Sequence, residues 1–160
     1  MDEYAVRGME LCFNIKGPVV IKNDNVIVRA TSRGGSAMKG AETLREEGFK
    51  GRVVMVTKEA HLPYDRPLLS KKLNANADSI KLRSLEYLKD HDIEFISGAE
   101  ATTLDSSKKT VTLSNGTVLN YDNVLIATGG KPRTLNVPGS DLENIFLLRS
   151  PDDATKNCFF

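Results

Sequence analysis

The amino-acid sequence predicts an α/β fold in which a parallel β-α-β unit is followed by an antiparallel β-meander. Residues 23–59, NDNVIVRATSRGGSAMKGAETLREEGFKGRVVMVTKE, contain a strand, a glycine-containing turn, a helix and a second strand in that order. Residues 93–127 instead contain several short strands, with a strong hairpin signal at Asn115-Gly116. A strand, helix and strand in succession indicate a parallel sheet, and this order of elements places a small β layer on top of it.

The bulk composition fits one ordinary soluble domain. The chain has 160 residues, 40% of them hydrophobic, and a formal net charge of +1. A nearly neutral chain has no overall field that would attract nucleic acid or an anionic membrane. No apolar run approaches the roughly 18 residues of a membrane span, and the acidic start MDEY is unlike a targeting peptide. We therefore expect no nucleic-acid partner and no membrane span.

The first elements are predicted from β-branched runs. Residues 18–30, PVVIKNDNVIVRA, contain two such runs joined by Asn-Asp-Asn, which predicts a β-hairpin with Pro18 at its edge.

A helix is predicted over 37–47, where Ala37, Ala41 and Leu44 share one stripe and Gly48 ends the helix. The next run, RVVMVT at 52–57, is almost continuously apolar and is typical of a buried parallel strand.

The second half is predicted to contain one more helix, SLEYLKDH at 84–91, followed only by short strands. The C-terminal stretch LLRSPDDATKNCFF is predicted to close no part of the fold. The predicted strands are IEFISG, ATTLD, KTVTLSNGTVL and NVLIATGG.

The turn between the first strand and the first helix is a candidate dinucleotide site. Such a turn uses three small residues so that the chain reverses tightly, approaches a pyrophosphate and packs the helix on the strand. The corresponding positions are Ser32, Gly34 and Ala37, so a serine replaces the first glycine. The alternative is an ordinary strand-to-helix loop with a turn at Gly34-Gly35.

A second candidate site is HLPYDRPLLSKKL, at 61–73. Its prolines fix the backbone, Arg66 offers a planar donor fork for a phosphate, and Lys71 carries a compact positive charge suited to an electron-rich ring. The alternative is a proline-rich loop that runs into a short amphipathic helix with solvated basic residues.

Two motifs resemble signatures of a known flavoprotein group. PYDRPLLSK and YDNVLIATGGKPR are similar to the two signatures of the apoptosis-inducing factor and ferredoxin reductase branch of the pyridine nucleotide-disulfide oxidoreductase superfamily. The resemblance runs from about 41 to 153 and implies a partial Rossmann-like FAD/NAD(P)-binding fold. It also implies the cofactor FAD.

The N-terminal segment resembles the Rieske-containing member type of the apoptosis-inducing factor family. LCFNIK and VVIKNDNVIVRA are similar to its segment after the second ligand pair and to its last hairpin. A Rieske centre needs two Cys and two His, and neither ligand pair is present, so we expect no iron–sulfur cluster and no metal site. Cys12 is better explained as a small buried residue.

The resemblance implies a division of the chain into three parts, with truncation inside the Rieske domain, across the first flavin-domain strand and at the carboxyl end. We expect a Rieske-like remnant at 1–33, a partial FAD-binding domain at 34–156 and an unmatched tail at 157–160.

The resemblance also implies individual roles. Lys71 would be the catalytic, flavin-proximal residue that polarises the ring, and Glu59 would bind the adenine ribose, because Lys58 occupies the position where the family usually has its first acid. The implied cofactor-binding residues are Gly34, Ala37, Glu59, Arg66, Lys71, Thr128, Gly129 and Arg133.

Three functional hypotheses follow. The first is an FAD-binding fragment of an oxidoreductase that, in the intact family, passes electrons from NAD(P)H through FAD to an iron–sulfur electron carrier. The second is an inactive interaction module that pairs with the full-length homologue. The third is a poorly folding product that lacks a central parallel strand, for which VIVRA could substitute with Arg29 as the misfit. The resemblance leaves a cytoplasmic or mitochondrial location open.

Overall fold

The computed structural model describes residues 26–30, 34–72 and 76–157, which form a four-stranded parallel sheet and a separate three-stranded antiparallel sheet. The strands are β1 (Val26–Ala30), β2 (Val53–Thr57), β3 (Ile93–Ile96), β4 (Ala101–Asp105), β5 (Thr110–Leu113), β6 (Val118–Asn120) and β7 (Asn123–Ala127). The helices are α1 (Gly34–Glu46), α2 (Leu85–Asp90) and α3 (Pro151–Asn157), with 3₁₀ helices at Arg66–Ser70 and Ala77–Ile80.

β1 is a central strand of the parallel sheet, whose order is β3-β2-β1-β7. It pairs in parallel with β2 on one edge and with β7 on the other. The hairpin prediction is therefore wrong for residues 26–30, because both edges of this strand have parallel partners. The expectation that VIVRA could take the place of a missing central strand is confirmed, because Val26–Ala30 occupies that position between β2 and β7. Residues 1–25, the greater part of the predicted Rieske-like remnant, lie outside the described residues.

The first helix packs closely on the sheet through small residues. α1 begins at Gly34, three residues before its predicted start, and its last residue is Glu46. Gly48, whose φ is 80°, lies in the turn that terminates it. Ala37 and Ala41 are fully buried against the sheet, as their stripe predicts. At Gly40 an added Cβ would lie only 2.7 Å from Leu125 Cδ2 on β7, so glycine permits the close approach of helix and strand.

Arg45 ties the end of α1 to the amino end of the sheet. Its guanidinium donates to four backbone oxygens, those of Phe49 at 2.6 Å, Gly51 at 2.8 Å, His91 at 2.9 Å and Asp92 at 2.7 Å. These carbonyls immediately precede β2 and β3, so one side chain fixes where both strands begin.

β2 is buried on both faces, as predicted for its apolar run. Val53 and Met55 face the cluster under α1, whereas Val54 and Val56 face the cluster formed with β4, β5 and β6. The predicted hairpin turn is confirmed at Gly116, whose φ is 84°.

The C-terminal segment closes part of the fold, so the contrary prediction is wrong. The Ser150 hydroxyl accepts from the Asp153 N–H, and Asp153 Oδ2 accepts from the N–H groups of Arg149 and Ser150. This reciprocal cap begins α3. Burial works to raise the pKa of Asp153, but the backbone N–H groups of Ser150 and Arg149 and the Ser150 side chain hold this pKa below its usual value. Ala154 then packs into a cluster with Tyr64, Leu69 and Ile80.

No helix among residues 26–30, 34–72 and 76–157 combines the length and apolar composition needed to cross a membrane.

Candidate functional site

The candidate site lies at the carboxyl edge of the parallel sheet. In the register of the strands, Ala30 of β1 stands between Thr57 of β2 and Ala127 of β7, so the three strands end together. α1 starts next to this edge at Gly34, and its first turn contains no acidic side chain. Parallel α/β sheets bind ligands at this edge, where helix N-termini favour anions.

The two residues after β2 have different partners. The Lys58 ammonium forms an exposed ion pair with Glu100 at 2.8 Å. Glu59 is held by its N–H, which donates to the Thr57 hydroxyl at 3.2 Å, and its side chain is only 24% exposed. Lys58 is thus a surface residue, whereas Glu59 keeps its carboxylate at the edge of the sheet.

Arg66 meets Glu59 at this edge. Its Nη2 lies 3.5 Å from Glu59 Oε1, and its side chain is 18% exposed. Its other two nitrogens, Nε and Nη1, are buried and have no hydrogen-bond partner in the described part of the chain. Buried donors without partners are costly, and a guanidinium has the geometry to bind a phosphate. The residues present therefore fit an anionic group.

Tyr64 completes this cluster and was not predicted from the sequence. Its ring centroid lies 4.9 Å from the Arg66 guanidinium carbon, and the residue is 5% exposed. Burial, followed by the nearby Glu59 carboxylate, raises its pKa well above the usual value. No local pattern predicts this contact, because the extended conformation of Asp65, which places Tyr64 and Arg66 on the same side of the chain, is seen only in the structure.

The segment that carries Tyr64 and Arg66 is held to the rest of the molecule at two points. The Asp65 N–H donates to the Ile80 oxygen at 2.8 Å, and His61 Nε2 lies 3.3 Å from Asp152 Oδ1 on α3. These contacts fix the position of the loop that carries Tyr64 and Arg66 next to Glu59.

The other predicted site residues are placed differently. Lys71 is exposed at the end of the 3₁₀ helix, where its N–H donates to the Leu68 oxygen at 3.2 Å. Thr128 and Gly129, with a φ of 65°, directly follow β7, and Arg133 is exposed beyond them. Their roles stay predictions.

Gly34 and Ala37 belong to α1 itself, and the fully buried Ala37 packs the helix on the sheet. Ser32 lies outside the described residues.

Within the described residues there is no group of three or more His, Cys, Asp or Glu side chains that could hold a metal ion. Cys12 and Cys158 lie outside those residues, so the expected absence of a cluster stays a prediction.

Sequence comparisons connect most of the α/β region to one family. A family model described as pyridine nucleotide-disulphide oxidoreductase matches residues 33–157. Apoptosis-inducing factor 3 from Mus musculus is 40% identical over 132 residues, which is 82% of this chain and 22% of the relative. The benzene 1,2-dioxygenase system ferredoxin–NAD(+) reductase subunit from Pseudomonas putida is 36% identical over 128 residues, which is 79% of this chain and 31% of the relative.

Solved structures show the same relationship. The ferredoxin reductase for the CYP199A2 system from Rhodopseudomonas palustris matches with a TM-score of 0.75 and 31% identity, over 84% of this chain and 33% of that one. Putidaredoxin reductase, in its covalent complex with putidaredoxin, matches with a TM-score of 0.73 and 33% identity, over 86% of this chain and 33% of that one. The chain thus spans about a fifth to a third of the length of these relatives.

Proposed function

Because the chain belongs to the pyridine nucleotide-disulphide oxidoreductase family, we propose that it binds FAD at the carboxyl edge of its parallel sheet. The observation that carries this proposal is the buried Arg66 guanidinium, which lies beside the Glu59 carboxylate and has two nitrogens without a partner in the part of the chain that the structure describes. A positive donor group next to a carboxylate suits a nucleotide, whose phosphates accept and whose ribose hydroxyls donate. The FAD-binding part would correspond to residues 34–156.

We assign the roles along the bound nucleotide as follows. Arg66 contacts a phosphate, Glu59 accepts from the ribose hydroxyls, and Lys71 is the residue nearest the flavin ring. Thr128 and Gly129 approach the flavin after β7, and Arg133 supplies a further positive charge. Gly34 and Ala37 allow α1 to present its N-terminus, which favours the negative charge of the pyrophosphate.

The electron-transfer function is proposed for a longer protein that contains this region. Relatives named as ferredoxin–NAD(+) reductases, and a reductase in complex with putidaredoxin, support a route from NAD(P)H through FAD to an iron–sulfur carrier. FAD would supply the capacity to accept a hydride and release electrons singly. The contribution of the residues described is to bind and orient it.

A fluorescence titration with FAD tests the proposal, with circular dichroism on the same samples to establish folding. Arg66→Ala should weaken FAD binding by about 10- to 100-fold, because a hydrogen bond to a charged group contributes roughly 1.5–3 kcal/mol. Arg52→Ala is the matched control, since Arg52 also pairs with a glutamate, Glu94, but before β2 at the amino end of the sheet. Folded Arg66→Ala protein with wild-type affinity would exclude this role for Arg66.

One observation favours a second candidate function, an interaction module that pairs with a full-length homologue. Seven of the eleven exposed large hydrophobic residues in the described part of the chain lie between 135 and 148. An exposed apolar segment is typical of a protein interface. A folded chain that binds no FAD but associates with the homologue in sedimentation experiments would favour this candidate. A cytoplasmic or mitochondrial location is a prediction for either function.

A further inference from the structure

The position of the Tyr64 ring is fixed independently of Arg66. Tyr64 packs with Leu69, Ile80 and Ala154, and 5% of its surface is exposed. A backbone bridge between Tyr64 and Lys81 adds a second constraint. The ring therefore has a fixed position, and its face is available for contact with another group.

The Arg66 guanidinium rests on that surface at 4.9 Å from the ring centroid. A cation over an aromatic ring is attracted to its face, whereas the N–H groups of a guanidinium lie in the plane of the cation. The ring therefore orients Arg66 without using its donors. The only other polar contact of the guanidinium in the described region is the long one to Glu59, at 3.5 Å.

We propose that Tyr64 is the positioning residue for Arg66, and that its ring holds the guanidinium ready for a phosphate of the bound nucleotide. This inference rests on the proposed function, because it assumes that Arg66 binds that phosphate. A side chain ordered before binding loses less conformational entropy on binding, which strengthens the complex. This effect is assigned to the ring, because the Tyr64 hydroxyl has no hydrogen-bond partner among the described residues.

A second tyrosine–arginine pair provides the control. The Arg83 guanidinium lies 5.1 Å from the Tyr87 ring centroid. Arg83 is also held by Glu42, with its Nε 2.7 Å from Glu42 Oε1. The two pairs share the same ring contact, but neither Tyr87 nor Arg83 belongs to the proposed nucleotide site.

The test measures FAD affinity in a double-mutant cycle of the full chain. Tyr64→Leu should weaken FAD binding roughly five- to thirtyfold, the effect of losing a cation–π contact of a largely buried cation. Tyr64→Phe should stay within about twofold of the wild type, because the ring remains. Tyr87→Leu should also leave FAD affinity within about twofold of the wild type, because Tyr87 lies outside the proposed nucleotide site. In the Arg66→Ala background Tyr64→Leu should cause little further loss, since the two residues act through one contact.

Each other outcome overturns the inference. Unchanged affinity in Tyr64→Leu, with weaker binding in Arg66→Ala, removes the role of Tyr64 and leaves the proposed function standing. Equal losses of FAD affinity in Tyr64→Phe and Tyr64→Leu would show that the hydroxyl, and not the ring, is responsible. Additive losses of FAD affinity in the cycle would show that Tyr64 acts independently of Arg66, as a structural residue. Unchanged affinity in Arg66→Ala excludes the phosphate role of Arg66 and with it the role of Tyr64, whereas a folded wild-type chain that binds no FAD contradicts the proposed function itself.

If Tyr64→Leu does not fold, pentafluorophenylalanine at position 64 replaces it in the test. Fluorination retains the ring shape and removes its negative face, which is the part that attracts the cation. Weaker FAD binding than in Tyr64→Phe would support the inference, and equal binding would overturn it.

Discussion

Arg45 and Arg66 lie near opposite ends of the same parallel sheet and use their donors differently. Arg45, near the amino end, donates to four backbone oxygens at 2.6–2.9 Å. Arg66, near the carboxyl end, has one contact at 3.5 Å and two buried nitrogens without a partner in the described residues. The same residue type thus serves the fold at one end, while at the other it retains hydrogen-bonding capacity for a ligand.

The largest expected difference between the two arginines is in their contribution to stability, which is measured by removing each in turn. Arg45→Ala should lower the free energy of unfolding by about 2–4 kcal/mol, because several hydrogen bonds are lost and carbonyls lose their partners. Arg66→Ala should change it by less than about 1 kcal/mol, since its contacts are few. Urea unfolding followed by circular dichroism measures both. A larger loss in Arg66→Ala than in Arg45→Ala would contradict the comparison.

A smaller difference is expected between the two residues that follow β2 at the carboxyl edge. Glu59→Gln should weaken FAD binding about tenfold, because hydrogen bonds to a charged acceptor are stronger than those to a neutral one. Lys58→Gln should leave affinity within about twofold, since an exposed ion pair contributes little. Titration of the two variants side by side measures the difference. If only Lys58→Gln weakened FAD binding, the residue that contacts the cofactor would be Lys58 and not Glu59.

The smallest effect concerns pH. Because burial and the Glu59 carboxylate raise the pKa of Tyr64, the folded chain keeps this proton at pH values where the unfolded chain has lost it. Stability should therefore fall as pH rises above the usual tyrosine pKa of about 10, by at most about 1 kcal/mol between pH 10 and 11. Tyr64→Phe has no phenolic proton, so this variant should lack the part of the stability loss that comes from Tyr64. Parallel urea unfolding curves at both pH values measure it, and equal losses in both proteins would contradict it.

Sequence patterns predicted much of the fold because its elements are locally encoded. The alanine stripe of α1, the terminating Gly48, the apolar run of β2 and the turn at Gly116 all appear in the structure. The family was also recognised from PYDRPLLSK and YDNVLIATGGKPR, and the comparisons confirm it over residues 33–157.

The errors arose where partners are distant in the sequence. Nothing local to residues 26–30 indicates that both edges pair in parallel, so β1 resembled the second strand of a hairpin. α3 is a different case, since Ser150, Pro151 and Asp153 form a helix-cap signal that the sequence itself contains.

The candidate site could be predicted only as a set of residue types. Sequence indicated that Arg66 is suited to a phosphate, but not that two of its nitrogens are buried without partners or that Tyr64 supports its face. Those properties depend on how the loop packs against Ile80 and α3, which no local pattern contains.

The pairing of β1 with β7 also has a consequence for biosynthesis. Val26 pairs with Asn123, which the ribosome adds roughly 100 residues later, at about 5–20 residues per second. One edge of the central strand therefore stays open for roughly 5–20 s in every newly made chain. An open edge of an apolar strand can pair with another nascent chain. The yield of folded protein should thus depend on translation speed and on chaperones that shield β1 until β7 emerges.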